Sequence, residues 1–239
     1  MKALIKETTK IKINECIIVA PHPDDETFGC GGLINYLIKR KCKISIIFLT
    51  NGGKSLSEYA EKEISFNRVN LSNHIVELLG VNLENVFRLH LMDGELPGEQ
   101  DRNFESISNE LARLINIIKP DLIVTSHFLD GWPTDHVSAF KLTRNAILKS
   151  NHKPHLWLCW IWIWFNIKLW QLHRIDLKNT IRLNISQEFD LKQRAISKYL
   201  NTLAQNGKPW IGILPKALLS SFNLKFEMFT EYKYEQLNI

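Results

Sequence analysis

Short apolar runs alternate along the chain with stretches in which apolar residues return every three or four positions. Cys16–Ala20, Ile44–Thr50, Val86–Leu91 and Leu122–Ser126 have the length and composition of buried strands. Between and after them, Phe28–Arg40, Ser57–Leu79, Phe104–Lys119 and Thr134–Lys149 have helical spacing; Leu111, Leu114, Ile115 and Ile118 share one face of the third. Strand alternating with helix predicts an α/β fold, a single Rossmann-like, doubly wound and mainly parallel sheet with helices on both faces. A fifth strand is expected over Leu156–Phe165, where Trp160, Trp162 and Trp164 alternate with Ile161, Ile163 and Phe165. Beyond residue 170 the pattern weakens, leaving a helix over Gln187–Leu203 and a final strand region in Phe222–Tyr232. Gly207, Pro209, Gly212 and Pro215 mark an irregular loop between them.

With 239 residues, 45% of them hydrophobic, the chain is long enough for one well-buried domain and short for two. We read one domain over residues 1–239, its motif-bearing core at residues 15–150 and a less regular part at 151–239. In doubly wound sheets ligands lie beyond the carboxyl ends of the strands. Three polar clusters fall there: His22–Glu26, Thr50–Gly53 and His127–His136.

The first cluster, Pro21-His22-Pro23-Asp24-Asp25-Glu26, sets an imidazole and three acids where a strand gives way to a helix. His22 and Asp25 stand three apart, so one turn of backbone lets both converge on an ion. Asp24 then remains free to act as general base on a water beside that ion. Hydrolytic zinc sites use three protein ligands, and His136, opening a helix at the same rim, is the best third candidate among eight histidines. This set favours zinc and would also accept iron, cobalt or manganese. His74, His90, His152, His155 and His173 have ordinary structural explanations. Glu26 is read either as orienting His22 or as stabilising the helix start.

The net charge of +5 comes from basic residues spread through the chain without a dense tract, so no nucleic-acid partner is expected. Cys16, Cys30, Cys42 and Cys159 show no paired spacing and suit a reducing, cytoplasmic setting. The first residues lack an apolar stretch of signal-peptide length, and Leu156–Phe165 is too short to cross a membrane. The tryptophan run leaves peripheral membrane contact open, and the oligomeric state is equally open.

Pro21-His22-Pro23-Asp24-Asp25-Glu26 followed by Gly29-Cys30-Gly31-Gly32, with Thr50-Asn51-Gly52-Gly53 and the later Asp135-His136 pair, resembles the LmbE-like, or PIG-L, superfamily of zinc-dependent N-acetylglucosaminyl de-N-acetylases. The resemblance covers residues 15–140 and continues more thinly to the tryptophan run and Lys192–Leu203. It implies a Zn2+ cofactor on His22, Asp25 and His136, Asp24 as the base, and an N-acetylated sugar as substrate. It further implies substrate contacts for Arg68 and for Asp93, beside Gly94. Leu71 replaces the acid that usually follows the arginine. Pro133 stands where the family often carries a second acid–base histidine; either His127, a candidate substrate-binding residue, or nearby Asp130 replaces it, or Asp24 does all the proton transfer, or activity is reduced. Specificity is expected in the loops at 52–58, 93–102, 128–132 and 207–215, with Trp132 set to stack on a sugar ring or close over the core. Three readings remain at this point: a metal-dependent deacetylase or related amidase, a non-catalytic sugar- or nucleotide-binding module, and a membrane-associated enzyme.

Overall fold

A computed structural model of the chain describes residues 12–131, 133–167 and 175–233. Trp132, His173 and the first residues, each with an expectation attached, lie outside this set. The elements run β1 (Glu15–Ala20), α1 (Asp25–Ile38), β2 (Lys43–Thr50), α2 (Glu61–Leu78), β3 (Val86–Leu91), α3 (Phe104–Ile118), β4 (Leu122–Ser126) and α4 (Thr134–Lys149). Then follow β5 (His155–Cys159), α5 (Ile163–Asn166), β6 (Thr180–Asn184), α6 (Phe189–Asn201), α7 (Lys216–Ser221) and β7 (Phe226–Tyr232). The strands form one sheet in the order β3-β2-β1-β4-β5-β7-β6. β1 to β5 pair in parallel, whereas β7 runs antiparallel to both β5 and β6.

The expected doubly wound sheet is therefore present, and the pleat explains its two cores. Along β1, Cys16, Ile18 and Ala20 enter a layer shared with α1, α2 and α6, while Ile17 and Val19 enter the opposite layer against α3 and α4. Strands buried on both faces read as continuous apolar runs, which is why β1, β2 and β4 were legible. Chain order reverses between β1 and β4, so the crevice at their carboxyl ends is the place to find a ligand.

The tryptophan segment departs from expectation. β5 ends at Cys159, the chain bends, and Ile163 opens the short α5. The Asp130 carboxylate accepts the Ile163 backbone N–H, drawing the segment away from the sheet and behind the site. Trp157, Trp160 and Trp162 are buried, and the indole of Trp160 donates to Thr230 Oγ1 at 3.0 Å. Most of the tryptophan run is thus interior packing, with Trp164 and Phe165 partly exposed at its end. β6 and α7 were not anticipated; Ile181 and Leu183 of β6 face the core around an exposed Arg182, an alternation only five residues long. Among the described residues no helix is long and apolar enough to cross a membrane.

Candidate metal centre

His22 lies in the turn that joins β1 to α1, and Asp25 is the first residue of α1. Asp25 Oδ2 accepts the backbone N–H of His22 at 2.9 Å and lies 3.1 Å from its Nδ1. The first turn of α4 brings in His136, whose ring centroid is 5.6 Å from that of His22. His136 Nε2 is 3.4 Å from Asp25 Oδ1, yet it is buried and makes no hydrogen bond. A buried ring nitrogen without a partner is costly unless something occupies the position it faces. Ligand atoms of His22, Asp25 and His136 all lie within 4.8 Å of one another. Two imidazoles and one carboxylate, converging on an orphaned nitrogen, fit a divalent ion with a coordination position to spare.

Ligand atoms of a second trio, His22, Asp93 and Asp135, also lie within 4.8 Å of one another. Asp135 is already engaged, since its carboxylate accepts the backbone N–H groups of Gly94 at 2.7 Å and Leu96 at 3.1 Å. Its Oδ2 also lies 3.1 Å from His22 Nε2, and Asp93 Oδ1 lies 3.0 Å from that nitrogen. Asp130 plays the same part for His136, with Oδ2 3.2 Å from Nδ1. These three acids orient the imidazoles through their far nitrogens, the usual arrangement behind metal-binding histidines.

Asp24, between the two ligand positions, has φ 136°, a rare conformation for a residue other than glycine. Its surroundings fix it there. The Asp24 N–H donates to Glu26 Oε2 at 2.8 Å, and its carbonyl accepts from Thr27 and Phe28 at 2.9 Å each. Fully buried Glu26 is held in turn by the hydroxyls of Thr27 at 2.6 Å and Tyr199 at 2.8 Å. Glu26 therefore shapes the loop rather than touching His22, and Tyr199 of α6 belongs to the site's support. Neither Tyr199 nor Asp135 was anticipated in these roles: Asp135 is visible only as the neighbour of His136, and Tyr199 only as a residue of a distant helix.

Arg68, expected in α2, is only 4% exposed and thus no solvated helix arginine. It donates to the carbonyls of Gly52 at 3.0 Å and Pro23 at 2.6 Å, and its guanidinium lies 3.2 Å from Asp24 Oδ1. Gly52 has φ +68°, and a Cβ there would stand 2.4 Å from the guanidinium carbon, so the tight turn after β2 needs glycine. Burial pushes the Asp24 carboxyl up to about 7, against the pull of Arg68.

Asp24, Asp25, His22, His136, Arg68 and Asp93 line one cavity of about 380 Å³, and Pro133 forms part of its wall. His127 is absent from that lining. It is fully buried, its Nδ1 accepts the Leu129 N–H at 3.0 Å, and its ring packs on Phe128 and Trp160. Burial pushes its pKa down to about 3, so it stands as a neutral core imidazole. The structure thus sets His127 beside the cavity rather than on its lining, with Nε2 buried and unpartnered, and Asp130 is bonded to His136.

Over 140 residues the chain is 29% identical to a probable N-acetyl-alpha-D-glucosaminyl L-malate deacetylase 2 of Bacillus subtilis, covering 56% of this chain and 61% of that one. The chain thus spans less than two thirds of that relative's length. Among solved structures, the N,N'-diacetylchitobiose deacetylase of Pyrococcus horikoshii superposes with TM-score 0.67 at 17% identity, covering 92% of this chain and 84% of that one. The 4-carboxy-2-hydroxymuconate hydratase GalB of Pseudomonas putida superposes with TM-score 0.65 at 16% identity, over 92% and 96% of the two chains. Likeness at this level establishes the fold and leaves the chemistry to the site. Residues 17–147, more than half of the chain and the part that holds every residue of the His/Asp cluster, match the GlcNAc-PI de-N-acetylase family, and to this family the chain belongs.

Proposed function

We propose that the protein hydrolyses the N-acetyl group from an N-acetylglucosamine-like unit of a glycoconjugate, nucleotide sugar or small glycoside, using zinc held by His22, Asp25 and His136. The observation that carries this reading is the unpartnered His136 Nε2 facing Asp25 and His22, with the Asp24 carboxylate in the same cavity. A bound divalent ion would polarise the acetyl carbonyl and make water acidic enough to lose a proton at neutral pH.

The residues divide the remaining work. Asp24 takes the proton from the attacking water as its oxygen bonds to the carbonyl carbon. When the C–N bond breaks, Asp24 returns that proton to the departing amine, leaving acetate and a free amino sugar. One buried carboxylate thus serves as base and then acid, which matches a cleft where Pro133 supplies no proton. Arg68 keeps Asp24 Oδ1 at 3.2 Å and fixes its aim, while Arg68 and Asp93 face the cavity as contacts to sugar hydroxyls. A carboxylate placed beside three ligands favours turnover over a non-catalytic binding module, and amidase action on another N-acyl group would use the same machinery.

We read the chain as one domain, with β5, β7 and β6 completing the sheet begun by the strands of the motif-bearing part. The four unpaired cysteines, all buried, support a cytoplasmic setting. The reading is tested by acetate release over a panel of N-acetylated sugars, nucleotide sugars and glycolipids, with Asp24→Asn as control. Loss of general acid–base catalysis lowers turnover by about 10²–10⁴-fold. Equal activity of wild type and Asp24→Asn overturns the assignment of the base.

A further inference from the structure

The cavity lining is mixed. Histidines, acids and Arg68 share it with an apolar wall made of Ile161, Trp162, Ile211, Ile213, Leu214 and Phe222. Ile213 is 72% exposed although it lies on a segment held firmly in place. Ser55 Oγ donates to the Trp210 carbonyl at 2.6 Å, and the Tyr59 hydroxyl accepts the Asn206 N–H at 2.8 Å. Trp210 also packs 5.4 Å from the Tyr59 ring, in a small core with Leu56, Ile64 and Ala204. Gly212, at φ +83°, lies so close to Ser55 that an added Cβ would stand 3.0 Å from its carbonyl oxygen. The loop that carries Ser55 also contributes Lys54 to the cavity, so the Ile211–Leu214 segment is tied to the loop after β2.

Apolar side chains lining the same cavity as polar catalytic groups, in a cavity within the roughly 300–1,000 Å³ range of small-molecule sites, offer a surface for part of a ligand. A bare N-acetyl sugar is polar on most of its edges and leaves this wall wet. Resting on the reading of the site as an N-acyl sugar hydrolase, we infer that the substrate bears an apolar alkyl or aryl group on its N-acylated sugar, and that this group lies on the wall formed by Ile211–Leu214 with Ile161, Trp162 and Phe222. The group has two chemical sources, the substituent on the anomeric carbon or an acyl chain longer than acetyl, because both are attached next to the scissile nitrogen.

Isothermal titration of zinc-loaded Asp24→Asn protein reads this contact without turnover. The probes are the methyl glycoside of N-acetylglucosamine, its hexyl glycoside, and the methyl glycoside of N-hexanoylglucosamine. Burial of two methylenes is worth roughly tenfold in affinity. One long compound is expected to bind roughly tenfold or more tightly than the methyl N-acetyl compound; a stronger hexyl glycoside places the group on the anomeric side, and a stronger hexanoyl compound places it on the acyl side. The ratio should fall toward one in Asp24→Asn carrying Ile213→Ser and Leu214→Ser, the first position exposed and the second half-buried at the edge of the core. Equal affinities, no binding of either long compound, or an advantage that survives in the triple variant overturns the inference. Acetate release by wild type from the methyl N-acetyl glycoside, measured alongside, judges the deacetylase reading separately.

Discussion

At the scale of single residues, the loop that carries Asp24 is held by side chains whose importance follows from geometry. Tyr199→Phe removes the hydroxyl that donates to buried Glu26 at 2.8 Å. Glu26 keeps its bonds to Thr27 and to the Asp24 N–H, so the loop should loosen without unfolding. The expected cost is about 1–3 kcal/mol in urea unfolding, with a fall in turnover larger than the change in KM. Unchanged stability and turnover would remove Tyr199 from the site's support. Gly52→Ala adds a Cβ where the Arg68 guanidinium stands and demands φ +68° of alanine. It should destabilise by more than about 1 kcal/mol and lower activity by displacing Arg68 from Asp24. The candidate ligands were readable because His22 and Asp25 sit three apart and His136 opens a helix. The positioning residues were not: Tyr199 meets Glu26 across 173 positions, and no local spacing encodes that meeting.

At the scale of elements, α1 contains a feature absent from its sequence pattern. The Glu227 carboxylate accepts the N–H groups of Gly32 at 2.7 Å and Leu33 at 2.8 Å, while Lys192 Nζ donates to the Phe28 carbonyl at 2.9 Å and to Glu227 at 2.7 Å. A buried ion pair from β7 and α6 thus satisfies backbone groups in the middle of the helix whose first residue is Asp25. Gly31 and Gly32 allow this approach; a Cβ at Gly32 would lie 2.6 Å from Ile185. Lys192→Met strands the buried carboxylate and should cost about 3–5 kcal/mol, measured by denaturant unfolding. A cost below about 1 kcal/mol would show that the pair carries little of the packing between α1 and α6. Before residue 150 the helices were legible from recurring apolar positions and the strands from apolar runs between them. The tryptophan run was misread because alternation of apolar residues looks the same in a strand and in a buried bend. Here the Asp130 carboxylate, bonded to Ile163, decides between them.

At the scale of the whole molecule, the sheet gathers the ends of β1, β2 and β4 at one rim, and the reversal between β1 and β4 opens the crevice there. That much follows from alternating patterns and from which residues stand at strand ends. The apolar wall does not, because Ile211–Leu214 reaches the cavity through a loop whose course depends on Ser55 and Tyr59. The same packing buries all four thiols, and burial pushes Cys42 up to about 12. Native protein at pH 8 should therefore react with a thiol reagent slowly, releasing four equivalents only on unfolding; rapid reaction of Cys42 would contradict the packing around β2.

The central claim is that His22, Asp25 and His136 hold one metal ion beside Asp24. It is tested most directly by elemental analysis of protein purified without chelator and dialysed against zinc, wild type alongside Asp24→Asn and His136→Ala. The account predicts about one ion per chain in wild type and in Asp24→Asn, and a large loss in His136→Ala. Wild-type protein that retains no metal, or His136→Ala that retains as much as wild type, would contradict it.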